Sequence, residues 1–164
     1  MIFVTVGSQL PFDRLIRTVD EWAGSQRRSD VFAQIGQSQY HAIHIETACF
    51  VDPLEFRRRI ESAKVIVAHA GMGSIISALE FGKPIIVMPR RGDLRETRND
   101  HQIATAQSFL KQGRVIVAFD EEQLVEKLNL SENLRGSEQI KSQASPQLIS
   151  SLREFIEGKL SQTK

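Results

Sequence analysis

The 164-residue sequence predicts an α/β fold, a parallel sheet with helices on both faces. Two features carry this. Short apolar, β-branched runs alternate with stretches of helical apolar spacing, the pattern of βαβ units. One run, Lys64-Val65-Ile66-Val67-Ala68, is almost wholly apolar, as a central strand buried on both faces must be.

The first strand is Ile2 to Val6, closed by Gly7-Ser8-Gln9. A helix follows, with Phe12, Leu15, Ile16, Val19 and Trp22 on one face. The next strand is Val31 to Ile35, ending at Gly36, and His41 to Val51 is strand-like without clear bounds. Asp52-Pro53-Leu54-Glu55 opens a helix: Asp52 caps free amides, Pro53 fits the first turn, and Glu55 completes a capping box. That helix ends near Ala63 and feeds the central strand. Its three consecutive arginines, Arg57 to Arg59, read as a solvated face.

His69-Ala70-Gly71-Met72-Gly73-Ser74 then turns into a helix reaching about Phe81, and Gly82 and Pro84 lead to a strand at Ile85 to Met88. A polar loop from Arg90 to Asn99 carries Arg90, Arg91, Arg95 and Arg98. The helix beginning at Asp100 turns Ile103, Ala106, Phe109 and Leu110 inward and stops at Gly113. Val115 to Phe119 is the last strand, and Asp120 caps a helix with Leu124, Val125 and Leu128 inside. Residues 1–130 thus form one domain, 131–146 a loose polar linker, and 147–164 an amphipathic helix with Leu148, Leu152, Phe155 and Ile156 on one side.

Composition removes several classes of function. A net charge of +1 lacks the basic surface of a general nucleic-acid binder. The single cysteine, Cys49, allows no internal disulfide, and no His/Cys cluster has metal-ligand spacing, so no metal is expected. No apolar run approaches the roughly 18–20 residues that span a bilayer. The opening apolar stretch is too short for a signal peptide, which makes a cytoplasmic location the expectation.

The stretch His69 to Ser74 is the most informative chemically. In an open α/β sheet ligands bind beyond the carboxyl ends of the strands. A Gly-x-Gly-Ser turn there presents backbone N–H groups at a helix N-terminus, where the dipole favours anions. Gly71 and Gly73 let a phosphate approach, Ser74 offers a hydroxyl and His69 a further donor. The same glycines also serve tight strand-to-helix packing, and both readings stand at this point. Gly7-Ser8-Gln9 occupies the equivalent place after the first strand and opens on the same sheet edge. In Asn99-Asp100-His101-Gln102, Asn99 or Asp100 suits a helix cap. Gln102 has no such structural duty, and carboxamides and carboxylates match sugar hydroxyls. His41 and His44 read as surface residues, whereas Arg90 and Arg91, just after a strand, are within reach of an anionic substrate.

Together these motifs resemble the C-terminal domain of glycosyltransferase family 28, the family of MurG, and more closely its PssE-type and eukaryotic two-component members. The resemblance runs over roughly residues 1–128. It rests on Ile2 to Gln9 followed by Phe12-Asp13-Arg14-Leu15-Ile16, on His69 to Ile75, on Gly82-Lys83-Pro84 and on Asn99 to Gln102. It implies a Rossmann-like sheet equivalent to the donor half of a GT-B enzyme. It also implies a UDP-sugar ligand, no cofactor and no metal. Gly7 and Ser8 then approach the diphosphate, and His69 to Ser74, including Met72, form its turn. Phe50 and Val51 read the uracil ring through their backbone. Asp100 and Gln102, with His101 between them, hold the sugar. The carboxylate that relatives use for the ribose is replaced by Ser77, with Glu80 about one turn further.

The implied partner is a membrane-associated, PssD-type acceptor-binding subunit, and the acceptor a lipid-linked saccharide. The catalytic base belongs with that partner, which would recruit this chain to the inner membrane face. The reaction expected is an inverting, metal-independent transfer of glucuronate or GlcNAc, with Arg90 or Arg91 facing a glucuronate carboxylate. Two rivals are a non-catalytic nucleotide-sugar sensor or scaffold and an NADP-dependent oxidoreductase. The latter lacks the third glycine of its fingerprint, where Ile76 stands.

Overall fold

In the computed structural model, which describes residues 1–136, 139–140 and 150–154, six strands form one sheet. In chain order they are β1 (Ile2–Thr5), β2 (Val31–Gln34), β3 (Glu46–Ala48), β4 (Val65–His69), β5 (Ile85–Met88) and β6 (Ile116–Val117). Every pairing is parallel and the spatial order is β3-β2-β1-β4-β5-β6. β4 is central, as its apolar sequence requires. The order reverses between β1 and β4, and this switch point opens a crevice at the carboxyl ends of those two strands.

Five helices cover the two faces: α1 (Asp13–Ser25), α2 (Pro53–Ser62), α3 (Met72–Glu80), α4 (His101–Lys111) and α5 (Glu121–Asn129). Side chains alternate across each strand, so Val4, Val67 and Ile86 meet Leu15, Ile16 and Val19 of α1 and Leu124 and Leu128 of α5. On the other face Phe3, Ile66 and Val87 meet Ile60 of α2, Ile75 and Leu79 of α3 and Ala106 of α4. Each fully buried side chain of this size contributes roughly 1.5–3 kcal/mol.

The helix starts follow their sequence signals with one exception. Asp52 Oδ1 accepts from the amides of Leu54 and Glu55, both at 2.9 Å, and Asp120 Oδ1 accepts from that of Gln123 at 2.8 Å. Glu55 closes no capping box. Its carboxylate accepts from Arg59 Nε at 2.6 Å, because a cation one turn along the helix competes for it. The three arginines are not a simple solvated face either: Arg59 lies 3.7 Å from the centre of the Phe32 ring and Arg57 lies 5.0 Å from that of Phe81.

Three further expectations change. The strand-like stretch from His41 forms a ladder only at Glu46. The amides of Ile43, His44 and Ile45 are donated to the buried carboxylate of Asp20, which also accepts from the Tyr40 hydroxyl. Burial would raise the Asp20 pKa, but these four donors hold it below the usual carboxylate value. His41 and His44 are exposed as expected. The last strand is shorter than Val115 to Phe119, because the Phe119 amide turns to Gln123 Oε1 at 3.1 Å. Leu110 is exposed, lying off the α4 stripe of Gln102 and Ala106.

The segment expected to be loose from residue 131 begins with one 3-10 turn, Ser131–Asn133, and Leu134 packs on the core. Residues 150–154 are helical. Most of the expected C-terminal helix lies outside the described residues. No helix among the described residues is long and apolar enough to cross a membrane.

Candidate functional site

A cleft of about 1000 Å³ opens at the switch point between β1 and β4. The loop after β1 supplies Gly7, Ser8 and Gln9, and the segment after β3 supplies Phe50 and Val51. From β4 and α3 come His69, Gly71, Met72, Gly73, Ser74 and Ser77; Arg90 follows β5, and Asn99, His101 and Gln102 begin α4. The topology therefore gathers these dispersed motifs on one sheet edge.

The β1 loop is held by its neighbours. Gly7 has φ +78°, a left-handed conformation that glycine adopts without strain. Its amide donates to Thr5 Oγ1 at 3.1 Å, and its carbonyl accepts from Gln34 Nε2 at 3.3 Å. Across the cleft α3 begins at Gly71, which caps the helix without a side chain. The first-turn amides of Met72, Gly73 and Ser74 thus have no partner within the helix. A β-carbon at Gly73 would meet nothing within 4 Å, so this turn is open to a ligand.

Gly71 has a different reason to be glycine. A β-carbon there would collide with the His69 ring, and one at Gly7 would lie 2.6 Å from His69 Nε2. The two glycines form a slot for the imidazole. Behind the ring Arg90, only 3% exposed, donates from Nη1 to His69 Nδ1 at 3.2 Å. Its Nη2 donates to the carbonyls of Val6 at 2.8 Å and Leu10 at 2.5 Å. Gln102, 5% exposed, accepts the Arg90 amide on Oε1 at 3.1 Å and turns Nε2 to His69 Nδ1 at 3.3 Å. Burial, reinforced by the Arg90 charge, pulls the His69 pKa down to about 4, so the ring is neutral at physiological pH. Burial likewise lowers Arg90, to about 10, which leaves it charged.

Among the described residues no carboxylate lines the cleft, whereas Arg90, Arg98, His69 and His101 do. With the α3 N-terminus this makes a positive, hydrogen-bond-donating surface suited to an anion such as a diphosphate.

Several sequence assignments shift. Asp100 is absent from the lining, because its Oδ1 accepts the Gly92 amide at 2.8 Å and anchors the preceding loop. Asp100 holds the N-cap position of α4 without a capping side-chain bond, and Asn99 Oδ1, one residue earlier, accepts the His101 amide at 3.3 Å and also meets His101 Nδ1. Gln102 does have a structural duty, bracing His69 and the end of β5. Arg90 lines the cleft with its Nη groups on the backbone and on His69, and Arg91, outside the lining, pairs with Asp93 at 2.7 Å. Thr97 and Arg98 also line the cleft, although no motif in the sequence singles them out. Arg98 forms no ion pair or hydrogen bond with any described residue, and its place beside Asn99 was the only sequence signal. Ser77 lines the cleft one turn after Ser74, whereas Glu80 is exposed outside it. Among the described residues no group of three His, Cys, Asp or Glu is placed to hold a metal ion.

The chain matches the glycosyltransferase family 28 C-terminal domain over residues 1–157. It is 29% identical over 124 residues to a human protein described as UDP-N-acetylglucosamine transferase subunit ALG13, covering 70% of this chain and 10% of that one. A protein of the same description from Yarrowia lipolytica is 25% identical over 137 residues, covering 73% and 65%. The chain therefore spans a tenth of the human relative and 65% of the yeast one. Among solved structures, the NMR structure of ALG13 matches with a TM-score of 0.59 at 17% identity, over 94% of this chain and 93% of that one. The crystal structure of MurG from Acinetobacter baumannii matches with a TM-score of 0.59 at 17% identity, over 81% of this chain and 41% of that one. These structural likenesses are of fold alone, a Rossmann-like parallel sheet. The domain match over nearly the whole chain settles its membership: it belongs to glycosyltransferase family 28, as a C-terminal domain of that family.

Proposed function

We propose that this chain binds the donor of an inverting, metal-independent glycosyl transfer, a UDP-sugar carrying GlcNAc or glucuronate. The single observation behind the reading is the cleft in which the open α3 N-terminus lies beside the neutral His69, with no carboxylate in the lining among the described residues. The leaving diphosphate gains negative charge as the glycosidic bond breaks. Fixed amides, His69 and Ser74 stabilise that charge without reorganising. The positive field comes from the protein itself, so the transfer needs no bound cation. Phe50 and Val51, on the strand edge beside the α2 start, suit the uracil, and Ser77 the ribose. His101, Asn99 and Arg98 line the same cleft and are read as the contacts to the sugar, with Arg98, unpaired among the described residues, as the contact to a glucuronate carboxylate.

The acceptor, a lipid-linked saccharide, and the base that deprotonates it are assigned to a separate membrane-associated subunit of PssD type. Support comes from the relatives described as subunits of a UDP-N-acetylglucosamine transferase. A cytoplasmic chain recruited to the membrane by that partner fits the reading. Calorimetric titration with UDP, UDP-GlcNAc, UDP-glucuronate and NADPH tests it. Saturable binding of a UDP-sugar, lost in a His69→Ala, Ser74→Ala variant, is the expected result. NADPH binding with no uridine ligand bound would overturn the reading. Turnover with the partner subunit separates an enzyme from a sensor of the same ligand.

A further inference from the structure

We propose that Arg90 is a positioning residue that locks His69 in the Nε2–H tautomer and ties the loops of the cleft into one preformed unit. The proposal rests on the donor-site reading only for the identity of the anion that the Nε2–H group meets.

The hydrogen-bond directions leave one arrangement. A guanidinium has donors and no acceptor, so Nη1 of Arg90, 3.2 Å away, requires His69 Nδ1 to accept. The Arg90 amide can only donate, which fixes the Gln102 oxygen toward it at 3.1 Å and turns the Gln102 NH2 group to the same Nδ1 at 3.3 Å. Two donors converge on one lone pair. A proton on Nδ1 would face both of them, so the Nδ1–H tautomer and the imidazolium are disfavoured by geometry alone. The ring proton therefore resides on Nε2, which has no acceptor among the described residues and sits in the glycine slot at the cleft.

The charged groups acting on the ring agree in sign. Arg90 after β5 and, to a smaller extent, His101 on α4 both oppose protonation. Arg90 itself is held by two carbonyls and an imidazole, and its buried Nε has no partner. A buried cation whose hydrogen bonds all go to neutral acceptors is costly, and the Glu96 charge and the Phe12 ring face, 5.1 Å away, offset only part of that cost. An anion in the cleft beyond His69 would offset that cost. The same guanidinium joins Val6 and Leu10 on either side of the β1 loop to His69 after β4, while its amide holds Gln102 of α4. The contribution of His69 to donor binding should then be insensitive to pH across the range in which a free histidine titrates.

The test is 15N NMR of the His69 imidazole in the full chain, assigned with His69→Gln, without ligand and from pH 5 to 8. The expected spectrum is an Nε2–H tautomer that does not titrate. In Arg90→Met the ring should titrate within that window and populate both tautomers. Gln102→Glu, which places a carboxylate at Nδ1, should shift the midpoint upward even if Arg90→Met fails to fold. An Nδ1–H tautomer in the parent, or an Arg90→Met ring that keeps the parent spectrum, overturns the proposal. Titration with UDP-GlcNAc, whose diphosphate does not ionise in this range, supplies the second readout. Measured relative to the parent at each pH, affinity in Arg90→Met should be about fivefold or more tighter at pH 5 than at pH 8, because an imidazolium forms at His69. If UDP-GlcNAc fails to bind at any pH while the tautomer depends on Arg90, the donor reading falls and the positioning role stands.

Discussion

Arg14 of α1 and Glu96 of the loop after β5 form a two-pronged ion pair, Nε to Oε1 at 2.6 Å and Nη2 to Oε2 at 2.8 Å. Both side chains are largely shielded from water, Arg14 also donates to the Pro89 carbonyl, and Glu96 also accepts the Arg91 amide. This clamp holds the middle of a loop whose next residues, Thr97, Arg98 and Asn99, line the cleft. Arg14→Ala should cost about 2–3 kcal/mol, because a shielded carboxylate loses its partner. It should also blunt discrimination among UDP-sugars while changing UDP affinity little. Urea unfolding and calorimetry on the same variant check both effects.

Gly71 and Gly73 should respond in opposite ways. Alanine at 71 strikes the His69 ring, so Gly71→Ala should lower stability and abolish UDP binding together. Alanine at 73 meets open space within a helix, so Gly73→Ala should preserve or raise stability, by up to about 1 kcal/mol. If a diphosphate approaches that turn, the same methyl should weaken UDP binding about tenfold or more. Unchanged UDP affinity in Gly73→Ala would move the diphosphate elsewhere.

Acid should weaken the fold partly through His69. The folded ring has a pKa near 4, lowered by burial and then by Arg90, against 6.5 for a free histidine. Falling pH therefore protonates the unfolded chain first. The contribution is complete above 6.5 and lost as pH falls through about 4, up to about 3 kcal/mol. Denaturant midpoints of the parent and of His69→Gln, compared at pH 7, 5.5 and 4.5, should converge as the medium is acidified. Parallel profiles would count against a buried neutral His69.

Arg98 is the cleft cation without a partner among the described residues. Arg98→Ala should reduce UDP-glucuronate affinity about five- to tenfold relative to UDP-GlcNAc, leaving UDP within about twofold. An equal loss for UDP would assign Arg98 to the diphosphate instead.

The alternation of strands and helices, the central place of β4 and most element bounds were legible in the sequence. They follow from side-chain period and turn chemistry, which are local. The glycine turns after β1 and β4 were legible for the same reason, and with Asn99 to Gln102 they carried the family resemblance. Tertiary structure alone decided what these residues touch. It set β1 beside β4, strands far apart in sequence, and so brought Gly7 and Gly71 to either side of His69. It buried Arg90 against carbonyls at Val6 and Leu10, turned Asp100 to Gly92, and gave Gln102 the bracing role. A side-chain hydrogen bond across that separation depends on strand order and loop course. The residue type and its neighbours in sequence encode neither.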